Sequence, residues 1–200
     1  MTTSENKRKN VLIVGGGFAG ISCAKGLADS PVNVTLVDQR NYHLFQPLLY
    51  QVATAVLSPA DIASPIRHIL RKQQNVKVGL GRLSSVDLDR KTVQFGSNEA
   101  DYDYLVLATG ARDFYFGNEE WPRLAPGLKT VDDALEIRRR VLLAYEEAEW
   151  EADDDSRRAK LTFVVVGGGP TGVEMAGALK EIAAQTIPNN FRNIDTTTAR

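Results

Sequence analysis

Short, wholly apolar runs alternate along this chain with stretches whose apolar positions recur every three or four residues. That pattern predicts buried strands exchanging with amphipathic helices. Val11-Leu12-Ile13-Val14 is apolar at every position, as expected of a central parallel strand covered on both faces, and it leads directly into glycines. A helix is predicted over residues 18–28, with Ile21, Ala24 and Leu27 facing the sheet, and the next strand over 32–37 closes on Asp38. Together these make one β-α-β unit. Residues 41–64 are less regular, apolar and aromatic but punctuated by Pro47 and Pro59, with Ser58-Pro59-Ala60-Asp61 reading as a capped helical turn. Ser64-Pro65 repeats the start signal for a short helix ending near Lys72, with Ile66, Ile69 and Leu70 on one face. Strand-like segments at 76–80, 82–88 and 92–95 suggest a small antiparallel meander. Tyr104-Leu105-Val106-Leu107 reads as a further buried strand ending at Ala108-Thr109-Gly110.

Residues 114–130, with Gly117, Pro122, Pro126 and Gly127, read as a connector. Thr130 and Asp133 form a predicted capping box for a helix to Trp150, whose apolar face is Ala134, Ile137, Val141, Ala144, Tyr145 and Ala148. Arg138-Arg139-Arg140 on that helix reads as a solvated surface, because no aromatic residues are interleaved as a nucleic-acid site would need. Asp153-Asp154-Asp155 is expected to be a loop, and 161–166 a last strand that opens a second glycine turn and a helix reaching near Ala184.

Composition narrows the class. With 43% hydrophobic and 24% charged residues among 200, this is an ordinary globular chain able to bury a sizeable core. Lysine plus arginine (24) nearly balance aspartate plus glutamate (25), so no overall field draws the chain to nucleic acid or an anionic membrane. The single cysteine, Cys23, excludes an internal disulfide and a cysteine-based metal cluster, which fits a reducing compartment. His43 and His68 lack a second ligand at metal-like spacing and read as packing or surface residues, so no metal site is expected. Two decoys fail. Lys7-Arg8-Lys9 before the first apolar run imitates a secretory signal, but Gly15-Gly16-Gly17 interrupts the run where such a helix should be strongest. Residues 161–179 could span a bilayer by length, but they contain Gly167-Gly168-Gly169-Pro170 and Glu174, the latter costing roughly 2.5–3.5 kcal/mol mid-membrane. Residues 1–10 are polar and expected to fray.

The decisive feature is one glycine pattern occurring twice between a predicted strand and a predicted helix: Gly15, Gly17, Gly20, and again Gly167, Gly169, Gly172. The first glycine permits a tight turn, the second lets a pyrophosphate approach the backbone, and the third allows close helix–strand contact. Phosphate charge then meets the helix N-terminus. Ala24 and Ala176 extend the match four positions beyond each last glycine. Asp38, at the end of the second strand, is placed to bond adenosine ribose hydroxyls. The second unit shows no corresponding acid before Arg200.

With two such units and the Ala108-Thr109-Gly110 strand end, the chain resembles the two-dinucleotide-binding flavoprotein superfamily. Asn41-Tyr42-His43-Leu44-Phe45-Gln46-Pro47-Leu48-Leu49-Tyr50-Gln51, then Ser58-Pro59-Ala60-Asp61, and Gly-Gly-Gly-Pro-Thr-Gly-Val-Glu from Gly167 to Glu174, are similar to type II NADH:quinone dehydrogenases. The resemblance implies an α/β fold. In it a Rossmann-like FAD-binding domain with a small antiparallel meander (1–113) precedes a connector and the incomplete start of a Rossmann-like NADH-binding domain (114–200). It implies FAD as cofactor and NADH as substrate, with electrons passed to a quinone. Gly15, Gly17, Phe18, Ala19, Gly20, Asp38 and Gln39 would hold the adenosine and pyrophosphate side, Leu83 would approach adenine, and Ala108, Thr109 and Gly110 would close the pocket. Residues around Pro47-Leu48-Leu49 would lie near the isoalloxazine, and Gly167, Gly169, Pro170, Thr171 and Gly172 would receive NADH.

Two readings of Glu174 stand side by side. The resemblance implies a group for hydrogen bonding or proton transfer near flavin and quinone; the plainer reading is a carboxylate in the first turn of its helix, favoured by the dipole. Disulfide reductases of this fold carry a cysteine pair after the first helix; none is present, so a dithiol relay is excluded. The family is about twice this length, so the chain is expected to be an N-terminal portion, unstable or inactive alone. In the family a later part provides amphipathic helices for peripheral attachment at the cytoplasmic side of the inner membrane, and a homodimer is compatible with the full-length protein. The alternatives are a flavoprotein reductase using ferredoxin, rubredoxin or oxygen, and a non-catalytic dinucleotide-binding module.

Overall fold

The computed structural model describes residues 8–200; of the expected fraying of residues 1–10, the part at 1–7, with Lys7 of the basic triplet, lies outside it, whereas Lys9 and Asn10 already belong to a strand. Along the chain come β1 (Lys9–Val14), α1 (Phe18–Gly26), β2 (Val32–Asp38) and β3 (Tyr42–Leu44). A 3-10 turn (Gln46–Leu48) leads to α2 (Leu49–Ala53), α3 (Pro59–Ile62), β4 (Ala63–Pro65) and α4 (Ile66–Ile69). Strands β5 (Val76–Leu80), β6 (Ser85–Asp87), β7 (Thr92–Phe95), β8 (Asn98–Asp101) and β9 (Tyr104–Leu107) follow. The remainder is helical: α5 (Trp121–Leu124), α6 (Val131–Trp150), α7 (Asp154–Lys160) and α8 (Pro170–Glu181). Two compact units result, one of the chain up to Leu44 with Ala63–Ala111, the other of Phe45–Ile62 with Arg112–Arg200.

The first unit is built on a parallel sheet in the order β5-β2-β1-β9. Strand β1 is apolar from Val11 to Val14 because that part is covered on both sides. Val11 and Ile13 pack with Ile21 and Ala24 of α1, while Leu12 and Val14 pack with Val37, Val93 and Phe95. Fully burying each such side chain stabilises by about 1.5–3 kcal/mol. The α1 face expected from periodicity is the one found, with Leu27 half-buried against the same cluster.

Three expectations for this unit are corrected. The segment 76–80 is not part of the meander; β5 pairs in parallel with β2, Val34 opposite Val76, and buries Val76 and Val78 against α1's cluster. Alternation identifies a strand but not its partner, so sequence proximity to the meander misled. The antiparallel meander consists instead of β6-β7-β8, and its third strand, Asn98–Asp101, is too polar to register as a strand in isolation. Third, β9 is a sheet edge rather than a buried strand, leaving Tyr104 60% and Leu107 59% exposed. The unanticipated hairpin pairing of β3 with β4 brings Tyr42 opposite Pro65. The helix after Pro65 is a single turn, shorter than periodicity suggested.

In the second unit, α6 begins with the expected reciprocal cap. Thr130 Oγ1 accepts from the Asp133 N–H, and the Asp133 carboxylate accepts from the Thr130 N–H. Val141, Tyr145 and Ala148 of α6 form a core with Leu161, Ile182, Ala183, Ile187 and Ile194. Arg139 and Arg140 of the basic triplet both bond Glu136, as a solvated helix face should. Asp153-Asp154-Asp155 is not a loop: Asp153 caps α7 by accepting from the Ser156 N–H, and the next two acids fill its first turn, where the dipole favours them. The helix α8 gives way to a π turn (Ile182–Thr186), close to the expected end.

The expected strand at 161–166 is not formed. A strand needs a neighbour's backbone groups, and among the described residues only Arg200 supplies them. Its N–H donates to the Leu161 carbonyl (3.1 Å) and its carbonyl accepts from the Phe163 N–H (2.7 Å), the pattern of one parallel bridge. Beyond it Val164 and Val166 stand 82% and 79% exposed, without the cover that their apolar sequence calls for.

Candidate functional site

Both glycine turns sit at helix starts and share one backbone geometry. Gly15 and Gly167 adopt φ of +115° and +107°, a region that disfavours any side chain. Gly17 and Gly169 are the N-caps, with φ −76° and −74° and extended ψ. A methyl on Gly20 would lie 1.7 Å from the Gly15 carbonyl oxygen, and one on Gly172 would lie 2.0 Å from that of Gly167. The third glycine therefore lets each helix close onto its own turn. At Gly17 and Gly169, by contrast, nothing among the described residues other than the adjoining chain lies within 4 Å of where a methyl would stand. That open approach, in front of the first-turn amides of a helix, suits a phosphate. Intrahelical bonding resumes at Ile21, which donates to the Gly17 carbonyl (3.0 Å), and at Val173, which donates to Gly169 (3.1 Å).

In the first unit the structure brings most of the predicted residues together. The Gly15 N–H donates to Val37 O and the Ala108 N–H to Val14 O, each at 2.8 Å, which lashes the turn between the ends of β2 and β9. A methyl on Gly15 would lie 2.1 Å from the Ala108 carbonyl oxygen. Asp38 ends β2 with its carboxylate half-buried; it accepts from the Gly16 N–H (2.5 Å) and the Arg40 N–H (2.7 Å). A carboxylate offers about four acceptor directions, so capacity remains for ribose hydroxyls. Phe18 and Ala19 open α1, both exposed, while Gly20 is buried. Gln39, Thr109 and Gly110 are exposed at strand ends, Gly110 with φ +74°. Leu83 is half-buried against Leu12, Val14 and Phe95, so its packing role is clear.

Gly16, His43 and Ile66 were missed. A methyl on Gly16 would meet Ile66 Cδ1 at 2.4 Å, so the middle glycine of the run lies against the end of that side chain, which would have to shift to admit a larger residue. The third consecutive glycine was the available signal; His43 and Ile66 reach the turn only through the unforeseen β3–β4 hairpin.

The second unit carries Gly167, Gly169, Pro170, Thr171, Gly172 and Glu174. Pro170 is the first helical residue, where its missing N–H costs nothing. Glu174 is the fifth residue of α8, not in its first turn, and is exposed with no hydrogen bond or ion pair among the described residues. The dipole explanation is therefore weakened, since that effect fades after one turn. The two alanines also differ: Ala24 is buried, whereas Ala176 is exposed. Pro47 is exposed, Leu48 half-buried and Leu49 buried. No group of histidine, cysteine or acidic residues among the described residues could hold a metal, and no helix among them is long and apolar enough to cross a membrane.

Comparison with known proteins agrees with this geometry. Residues 9–190 match the family model for pyridine nucleotide-disulphide oxidoreductases. The chain belongs to that family. It is 47% identical, over its whole length, to type II NADH:quinone oxidoreductase Ndh of Mycobacterium tuberculosis, of which it covers 44%. It is 50% identical over 94% of its length to NdhA of the same organism, covering 41% of that protein. Among solved structures, Plasmodium falciparum NDH2 in complex with NADH superposes with a TM-score of 0.84 at 27% identity, over 96% of this chain and 40% of that one. The chain thus spans less than half the length of these relatives.

Proposed function

We propose that this chain is the N-terminal portion of an FAD-dependent NADH:quinone oxidoreductase. The observation that carries the reading is the pair of glycine turns, alike in φ, in N-cap and in helix-to-turn contact, within one polypeptide of this family. FAD, when bound, supplies a two-electron carrier able to accept a hydride from NADH and to pass electrons to a quinone. This chain's residues bind and orient. Gly15, Gly17 and Gly20, with Phe18 and Ala19, shape the pyrophosphate cradle at the start of α1. Asp38 accepts from the ribose hydroxyls, and Gln39, Leu83, Ala108, Thr109 and Gly110 bound the pocket. Gly167, Gly169, Pro170, Thr171 and Gly172 form the equivalent cradle for NADH. Glu174, exposed and without a partner among the described residues, is the group assigned to hold or move a proton. Residues 1–113 carry the flavin side and 114–200 open the nicotinamide side. Peripheral attachment at the cytoplasmic side of the inner membrane, and pairing with a second copy, belong to the same reading and rest on the family resemblance.

The test uses the full-length protein. It should purify yellow, be bleached anaerobically by one equivalent of NADH, and regain its colour on addition of a short-chain quinone. A colourless protein, or a flavin that NADH leaves oxidised, would refute the assignment. Reoxidation by ferredoxin, rubredoxin or oxygen but not by quinone would move it to a different reductase.

A further inference from the structure

The middle glycine of the first turn is held from both sides. Its N–H donates to Asp38 Oδ2, and its carbonyl oxygen lies 3.0 Å from His43 Nδ1. A carbonyl can only accept, so Nδ1 must carry the proton, and the imidazole is the Nδ1–H tautomer if neutral. The ring is fixed in turn: it meets the Phe18 ring edge to face, centroids 4.9 Å apart at 87°. Phe18 is the first residue of α1, so the contact ties the hairpin to the helix start. Ile66 lies on the remaining side, its Cδ1 2.4 Å from where a methyl on Gly16 would stand.

This arrangement has a consequence set by the planarity of the peptide unit. The Gly16 carbonyl and the Gly17 N–H belong to one trans peptide, in which C=O and N–H point in opposite directions. Holding the carbonyl on His43 aims the Gly17 N–H away from the hairpin. Gly17 is also the residue whose side-chain direction is open. Rotation of this peptide would present a carbonyl oxygen, not an N–H, to an incoming anion, and both flanking residues are glycines that permit such a rotation.

We propose that His43 is a positioning residue for the pyrophosphate cradle: its Nδ1–H locks the Gly16–Gly17 peptide so that the Gly17 amide donates to the FAD pyrophosphate. The proposal rests on the functional reading above and adds to it a role for a side chain that itself need not touch the cofactor.

Three full-length proteins test it: wild type, His43→Phe, which keeps an aromatic ring beside Phe18 but has no donor, and His43→Asn, whose side-chain amide restores a donor near the Nδ1 position. Each is stripped of flavin and titrated with FAD, following flavin fluorescence, and the 31P resonances of the bound pyrophosphate are recorded. His43→Phe should bind FAD about tenfold more weakly, the effect of one hydrogen bond, with displaced 31P shifts. His43→Asn should recover most of the affinity and the wild-type shifts. The idea is overturned if His43→Phe binds FAD as tightly as wild type with unmoved 31P shifts, or if His43→Asn is as poor as His43→Phe, since the ring rather than the donor would then matter. If His43→Phe does not fold, His43→Asn against wild type still decides: normal 31P shifts and near-normal affinity support the donor role, and loss of both defeats it. Failure of wild type to bind FAD would instead remove the functional reading itself.

Discussion

Replacing Gly20 by alanine tests the close contact of helix and turn, and Gly26 in the same helix supplies the control. At Gly20 the new methyl would lie 1.7 Å from the Gly15 carbonyl oxygen and 2.9 Å from its carbon, both backbone atoms. The turn or the helix must therefore retreat by more than an ångström. Overpacking of this kind costs about 1–3 kcal/mol, opposed by about 1 kcal/mol that alanine gains over glycine inside a helix. The expected net effect on Gly20→Ala is a loss of roughly 0–2 kcal/mol, together with weakened FAD retention, since the turn carries the cradle. At Gly26 nothing lies within 4 Å of the added methyl, so only the propensity term acts and Gly26→Ala should gain up to about 0.5–1 kcal/mol. The second unit repeats the pair: Gly172→Ala meets the Gly167 oxygen at 2.0 Å, whereas Gly177→Ala in the same helix meets nothing. Urea denaturation of the four full-length variants measures the differences, with the midpoint shifts at constant slope giving stability. If Gly20→Ala were as stable as Gly26→Ala, or Gly172→Ala as stable as Gly177→Ala, the third glycine would not be a contact requirement and the account of both turns would fail.

Thr130→Ala removes the acceptor that caps α6 and should destabilise by about 0.5–2 kcal/mol in the same urea assay; no change would show the cap to be dispensable. The Tyr145 hydroxyl is buried without a hydrogen-bond partner among the described residues, and burial pushes its pKa up, so Tyr145→Phe should leave stability unchanged or raise it by up to about 1 kcal/mol. A clear loss on thermal denaturation would mean that the hydroxyl is satisfied after all. The Arg139 and Arg140 guanidiniums donating to Glu136 hold its carboxyl at about 2, below the ordinary 4.5. A depressed folded-state value means that this contribution is present above pH 4.5 and is lost as the pH falls toward 2, which carboxylate-selective NMR titration would follow. Glu136→Gln should abolish that titration and, as the cluster is solvent-exposed, change stability only slightly.

Much of the site is local and was therefore legible in the chain. A strand running into Gly-x-Gly-x-x-Gly and then a helix start specifies its own backbone path, because positive φ at the first glycine and the absence of a side chain at the third are requirements within six residues. The same holds for the Thr130–Asp133 cap and the buried stripe of α6, whose causes lie within a few turns of one helix. Asp38 could be placed because it closes the strand that follows α1 directly.

What tertiary structure decided is pairing and cover. The strand at 76–80 joined β2 rather than its sequence neighbours, and 161–166 has the composition of a strand but, among the described residues, no partner beyond the single bridge to Arg200. Apolar sequence records a demand for burial, whereas a ladder of hydrogen bonds exists only when another segment arrives beside it. His43 and Ile66 became part of the cradle for the same reason: a hairpin between Tyr42–Leu44 and Ala63–Pro65 carries them to Gly16, and no spacing in the chain announces that meeting.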